Sequence, residues 1–409
     1  MTSEAKRDLI VTAVASLIVI MMFSIFHLVK LINDSSKEQI KVGFVYDSDE
    51  STPYTANFIK AQKALERQLG SKVVTVVKSN IYDRDGGKKA VSELVNEGCD
   101  LIFTTSIGYS KAAKEYAEQY PDIQFCQATG DNAGTEPVLD NYHTFMGEIY
   151  QGRYISGAIA GMKLRELIDS GRISPDKARI GYVAAYETAE VISGYTAFLL
   201  GVRSEAPEAV MEVMYTNTWS SYAVEKKCAK QLIADGCVVI SQHSDTTGPA
   251  VACEEAQNVY HVGYNQSMID VAPTTSIISS CINWTPYIVS ASEAVLAGKR
   301  IEDYVQGDEN GNDLGAGFDL DWVQMLELNS LIAAEGSADK ITELTDKFKD
   351  GWNEVFKGSY TGVDPTDPNK TIDLSGGYTE NEHSSAPTFC YVLNDVITIV
   401  EQETDARIR

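Results

Sequence analysis

Short apolar runs, separated by longer stretches whose apolar positions recur every three or four residues, make up most of this chain. The clearest instance is Gly98 to Phe125. Leu101 to Phe103 is a brief apolar run and Thr104 to Gly108 is a loop of mostly small residues. Ala112, Ala113, Tyr116, Ala117 and Tyr120 then share one helical face, while Lys111, Lys114, Glu115 and Glu118 take the other. The spacing predicts a strand, a loop, a helix and the start of the next strand. Gly236 to Asn265 repeats the plan, and one offset of 138 residues aligns Gly98 with Gly236, Gly43 with Gly181 and Lys88-Lys89 with Lys226-Lys227. Lys41 to Val45 and Arg179 to Val183 are thereby matching first strands. The pattern predicts two similar lobes, each a parallel sheet with helices on both faces. Loops at the carboxyl ends of the strands then face a shared cleft.

In order, the first lobe opens with a strand at Lys41 to Tyr46 and an acidic loop at Asp47 to Pro53. The next helix buries Phe58, Ala61, Leu65 and Leu69 and is stopped by Gly70. The chain crosses to the second lobe at Phe145 to Gly147, and Gly157 with Gly161 on the following helix predict a close neighbour. Asn265 to Pro273 is expected to return the chain to the first lobe. Ser276 to Ile282 then adds a strand there, and Tyr287 to Leu296 a helix. Tyr304 to Asp319 crosses again, Ile341 to Phe356 is an amphipathic helix, and Gly358 to Ala386 has the turn residues of a capping hairpin. The expected division is residues 1–37 as stub, anchor and linker, 38–146 with 270–303 as lobe I, and 147–269 with 304–409 as lobe II plus a C-terminal extension.

Three features of composition change this picture. Leu9 to Val29 is almost wholly apolar and long enough to cross a hydrocarbon core of about 30 Å. Lys6 and Arg7 before it place the amino terminus inside and the lobes outside the membrane. The competing reading, a cleaved signal peptide, lacks a small-x-small cleavage site. A net charge of −24, from 58 acids against 34 bases, disfavours nucleic-acid binding. Seven cysteines show no metal-ligand spacing and read as buried free thiols.

Candidate site residues are those on loops beyond the strands. The aromatic set is Tyr54, Tyr109, Tyr186, Trp219 and Trp284, rings that can sandwich a flat heterocycle or serve as ordinary core and hinge packing. The polar set is Asn57, Ser106, Glu187, Asp245, Asn265, Asp270 and Asn283. Asp245 reads equally as an acceptor for sugar hydroxyls or ring N–H groups and as a cap for a helix beginning near Thr247. Asn265 and Asp270 have a hinge role as their alternative. Catalysis has little support: His243 is the one histidine in a predicted cleft loop, and Ser241, Ser244 and Asp245 are its neighbours on that same loop, a poor arrangement for a triad. No metal cluster, phosphate loop or cofactor motif is present in the sequence.

The segments KVGFVYDSDESTPYTANFIKAQKALE, CDLIFTTSIGYSKAAKEYAEQYPDIQF, FMGEIYQGRYISGAIAG, IGYVAAYETAEVISGYTAFLLG, TNTWSS, VISQHSD and VGYN together resemble the basic membrane protein family of ABC-importer substrate-binding proteins. The resemblance runs from about Lys41 to Gly358. It implies a type I periplasmic-binding-protein fold, two doubly wound parallel sheets joined by a hinge, here preceded by one transmembrane helix. It also implies a purine nucleoside or nucleobase as ligand, and permease and ATPase subunits as partners. Family members that bind nucleosides tend to carry Asp where this chain has Asn265 and Lys near Asn283-Trp284, and their Phe-Asn pair is not plain around Tyr54 to Asn57. A free base therefore stands beside the nucleoside as an expectation. The rival reading is a membrane-anchored sensor acting through a partner.

Overall fold

The computed structural model describes residues 36–82 and 84–403, with helical positions 17, 18, 20–22 and 24 before them. The predicted span Leu9 to Val29 lies largely outside the described residues, and no helix among those described is long and apolar enough to cross a membrane.

The first lobe begins with β1 (Ile40–Val45), α1 (Pro53–Leu69), β2 (Val73–Lys78), α2 (Arg84–Asn96), β3 (Leu101–Thr104), α3 (Ser110–Gln119), β4 (Gln124–Ala128) and β5 (Tyr142–Gly147). Pro53 occupies the first turn of α1, where its missing N–H costs nothing. Phe58, Ala61 and Leu65 are buried as the spacing predicts, and Gly70 ends the helix at φ 54°. The second lobe follows with α4 (Ile149–Asp169), β6 (Arg179–Ala184), α5 (Ala189–Glu205), β7 (Val210–Tyr215), α6 (Tyr222–Ala234), β8 (Val239–Gln242), α7 (Gly248–Ala256), β9 (Tyr260–Tyr264) and β10 (Ser276–Ile282). After α8 (Thr285–Leu296), β11 (Asp308–Asn310) and β12 (Asp313–Ala316) extend the first sheet, and β13 (Val323–Met325) closes the second.

The strand orders are β11-β12-β5-β4-β3-β1-β2 and β13-β10-β9-β8-β6-β7. The duplication holds at the level of register: Gly43 lies opposite Ile102 in one sheet and Gly181 opposite Ile240 in the other, both 138 residues on. Leu94 covers Gly43, and Leu232 covers Gly181. Each sheet is packed on both faces, the first by α1 and α8 against α2 and α3, the second by α4 and α5 against α6 and α7. Six of the seven cysteines are buried free thiols, and Cys390 is half-buried.

One assignment is corrected. Ser276 to Ile282, expected in the first lobe, pairs in parallel with β9 in the second sheet. All seven of its residues are buried, so its apolar run fits the interior of either sheet. The tight turn from Asn265 to Thr275, in which Met268 and Ala272 pack on Ala250, keeps it beside β9. The crossing back to lobe I therefore comes after Ile282, not at Asn265 to Pro273. The chain crosses between the sheets after Gly147, Ile282 and Ala316, and the three segments are joined by Glu148 N–H to Ala316 O at 2.9 Å and Asn283 N–H to Trp322 O at 2.8 Å.

Glu148 stands at the first crossing. Burial, then the nearby charges of Asp308 and Asp319, push its carboxyl up to about 7. An acid whose proton affinity rises on folding favours the folded state below its unfolded value, and this contribution is lost as pH rises through 7. Between pH 5 and 8 the wild type is expected to lose on the order of 2 kcal/mol relative to Glu148→Gln in urea unfolding. Parallel pH profiles for the two proteins would show that Glu148 stays ionised.

The C-terminal part starts with α9 (Ser337–Lys349), which ends earlier than predicted because Gly351 turns at φ 85°. The predicted hairpin is β14 (Thr361–Asp364) and β15 (Asp367–Asp373), with β16 (Val392–Leu393) added beside β14. The intervening segment bridges the lobes. Ser385 donates its N–H and hydroxyl to Asp313 of the first sheet at 2.6 and 2.5 Å. Glu380 accepts from Ser193 on α5 of the second lobe at 2.6 Å. β17 (Ile397–Ile399) then joins the second sheet beside β7.

Candidate ligand cleft

A cavity with about 480 Å³ of empty space, part of it open to solvent, lies between the lobes at the carboxyl ends of the strands. Lobe I contributes Asp47 just past β1, Tyr54 in the first turn of α1, Ser106 and Ile107 beyond β3, and Thr129 beyond β4. Lobe II contributes Glu190 from the first turn of α5, Trp219 beyond β7, and His243 and Asp245 beyond β8. Tyr264 and Asn265 come from the end of β9. In a parallel sheet every strand ends on the same side, so loops far apart in sequence converge here.

The lobes touch across this cavity. Asp245 Oδ1 accepts the backbone N–H of Tyr54 at 2.9 Å, and Asn57 Nδ2 donates to the carbonyl of Asn265 at 2.9 Å. Asn265 holds this position with φ 65°, a conformation that asparagine tolerates better than most residues. Tyr54 is fixed by its hydroxyl, which donates to Thr105 O at 2.6 Å. The described state is thus a closed one.

The electrostatics are one-sided. Asp47, Glu190 and Asp245 line the cavity, and no Lys or Arg is among its lining residues. Burial raises the proton affinity of Asp47, opposed by the Thr55 hydroxyl. Burial raises that of Asp245 further, opposed by the Tyr54 N–H. The nearest buried cation is behind a wall: the Arg153 guanidinium lies 3.5 Å from the centre of the Tyr264 ring and donates to Gln242 O at 2.8 Å. Burial, with Arg153 close by, lowers the pKa of His243 to about 4, so its imidazole is neutral. Its Nε2 is 3.6 Å from Glu190 Oε1, and neither ring nitrogen has a hydrogen-bond partner.

Of the residues expected in the cleft, Tyr54, Ser106, Trp219, Asp245 and Asn265 are brought together there. Asp245 has no bond to the first turn of α7; its carboxylate instead accepts from the first turn of α1, across the cleft. Asn57 bridges the lobes beside the cavity. Tyr186 leans on Trp219, ring centres 5.2 Å apart, as its support. The other five lie elsewhere. Tyr109 is buried under α2, its ring where a side chain at Gly87 would be. Trp284 stacks on Phe58 at 4.4 Å inside lobe I. Glu187 and Asp270 are exposed. Asn283 donates to Asp321 O at 2.9 Å within the hinge. Residue pattern alone placed His243 in a cleft loop without making it a ligand contact, and missed Asp47, Ile107, Thr129, Glu190 and Tyr264; their shared signal is position, at or just beyond a strand end or in the first turn of a helix.

The model for PnrA-like ABC transporter substrate-binding proteins, the Bmp family, matches residues 40–348. A purine-binding protein of Brucella abortus is 30% identical over 264 residues, covering 64% of this chain and 71% of that protein. A Haloferax volcanii protein named as an ABC transporter glucose-binding protein is 33% identical over 199 residues, covering 49% of this chain and 46% of its own length. Among solved structures, an ABC transporter solute-binding protein from Aeropyrum pernix superposes with a TM-score of 0.61 at 16% identity, covering 81% of this chain and 95% of that one. The two-lobed fold, the cleft between the lobes and the match over three quarters of the sequence have one reading: the chain belongs to the Bmp family of ABC transporter substrate-binding proteins.

Proposed function

We propose that this protein is an extracytoplasmic receptor, tethered through Leu9 to Val29, that closes over a purine nucleobase or nucleoside and delivers it to an ABC permease. The observation that carries the reading is a cleft in which rings from both lobes, Tyr54, Trp219 and Tyr264, stand among carboxylates. Flat faces stack on a purine, and carboxylates accept its N–H groups or ribose hydroxyls. The purine-binding relative from Brucella abortus supports the same choice. Closure follows from differential affinity: a ligand contacting both lobes favours the state in which Tyr54 and Asp245 meet.

A sugar is the second reading, favoured by the glucose-binding name of the Haloferax relative, because pyranose rings also stack and donate hydroxyls. Calorimetric titration of the full chain, stripped of carried ligand by unfolding and refolding, separates them. Purine bases or nucleosides are expected to bind at micromolar concentration or below, a range of about −8 kcal/mol or stronger, with D-glucose inert. Binding of glucose and of no purine would replace the ligand.

A further inference from the structure

The wall that lobe II turns toward the cleft is a row of rings. Trp219 and His243 have ring centres 6.5 Å apart, and His243 and Tyr264 have theirs 5.3 Å apart. Arg153, which does not line the cavity, closes the row from behind. It stands just over one turn into α4, the helix that follows the first crossing between the sheets. Its guanidinium carbon is 3.5 Å from the centre of the Tyr264 ring, van der Waals contact with the ring face and well inside the range of a cation–π pair. Nη1 donates to the carbonyl of Gln242, the residue before His243. One side chain thus holds the two strand ends, of β8 and β9, that carry His243, Asp245, Tyr264 and Asn265 into the cleft.

Packing alone does not call for an arginine here. The side chain is 1% exposed, Nε and Nη2 have no hydrogen-bond partner, and its one hydrogen bond among the described residues goes to a carbonyl, not a carboxylate. A buried cation in such a place is costly, and a well-packed apolar side chain of similar volume is often neutral or stabilising instead. What an apolar chain cannot supply is a rigid plane that lies flat on a tyrosine and also bonds the neighbouring strand. Lobe I is backed in the same manner, there by a ring: Trp284, at the N-terminus of α8, stacks on Phe58 at 4.4 Å and stands 6.2 Å from Tyr54. Resting on the purine reading above, we propose that Arg153 is a positioning residue of the ligand site. It fixes the Tyr264 ring in the geometry that receives the ligand, touches no ligand itself, and is kept at a cost in stability. Affinity lost with Arg153 is therefore lost through Tyr264.

The test is a double-mutant cycle read by calorimetry on the full chain, with adenosine and guanosine as probes and a thermal melt of each variant. Arg153→Met, which removes the charge and the plane, is expected to weaken binding of the tighter probe by roughly tenfold or more, while its unfolding temperature stays level or rises. Tyr264→Leu is expected to weaken binding by a similar factor. Adding Arg153→Met to it is expected to cost less than about threefold more, because the ring through which Arg153 acts is gone. Should Arg153→Met fail to fold, Arg153→Lys, which keeps the charge and loses the plane, takes its place in the cycle with the same outcomes. Failure of the purine reading shows itself separately, as no purine binding by the wild type, and the cycle is then run with D-glucose. Affinity of Arg153→Met within about threefold of wild type, or its full loss repeated in the Tyr264→Leu background, would overturn the positioning role.

Discussion

Removing two of the aromatic faces in one protein, Tyr54→Ala with Trp219→Ala, is expected to weaken purine binding by roughly 1,000-fold, each lost stack contributing about 1–3 kcal/mol. The substitutions are chosen so that the loss reports on the rings. Asp245 accepts from the backbone N–H of Tyr54, which alanine retains, so the bond across the cleft survives. The hydroxyl bond to Thr105 is lost, but it lies within lobe I. Both side chains are only half-buried, so unfolding temperature is expected to change little. Calorimetry beside a thermal melt checks both parts. Affinity within tenfold of wild type would place the ligand somewhere other than between these rings.

The second large effect is on stability. Helices α4 and α5 meet backbone to backbone: a Cβ at Gly201 would lie 2.1 Å from Tyr154 O, and one at Gly157 would lie 2.0 Å from Phe198 O. Neither carbonyl can swing aside as a flexible side chain would, so the helices must separate. Gly201→Ala is expected to destabilise by about 3 kcal/mol, at the upper end for overpacking, and the double variant with Gly157→Ala is expected not to fold. Gly134→Ala is the control, because nothing lies within 4 Å of its added carbon. Urea unfolding makes the comparison, and a Gly201→Ala midpoint equal to that of the control would mean that the helices separate without cost.

The two-lobed plan was legible because duplication left matching glycines and apolar runs 138 residues apart, a pattern that survives divergence of the side chains around it. The inventory of the cleft was less so. Tyr109 and Tyr54 both follow strand ends, yet a turn of helix at Ile107–Tyr109 rolls Tyr109 beneath α2, while Tyr54 is left facing the cavity. Glu187 and Glu190 are three residues apart; the loop turns the first outward, and α5 carries the second into the cleft. Trp284 looked like a binding ring but fills the gap between α1 and α8. Such choices depend on how helices pack on a sheet, which spacing along one strand of sequence does not encode. The placement of β10 failed for the same reason, since a strand buried on both faces fits either sheet.

The family match ends at residue 348, and the segment that ties Asp313 to Ser193 through Ser385 and Glu380 comes after it. Any parting of the lobes would move those two anchors relative to one another, so the stiffness of the segment would enter the balance between open and closed forms. A stiff segment set in the closed geometry would lengthen the residence time of whatever is held, and a slack one would shorten it, with no change to any residue that touches the ligand. In the receptor reading proposed above, the pace of hand-over to a permease would then depend on the far end of the chain as well as on the residues that touch the ligand.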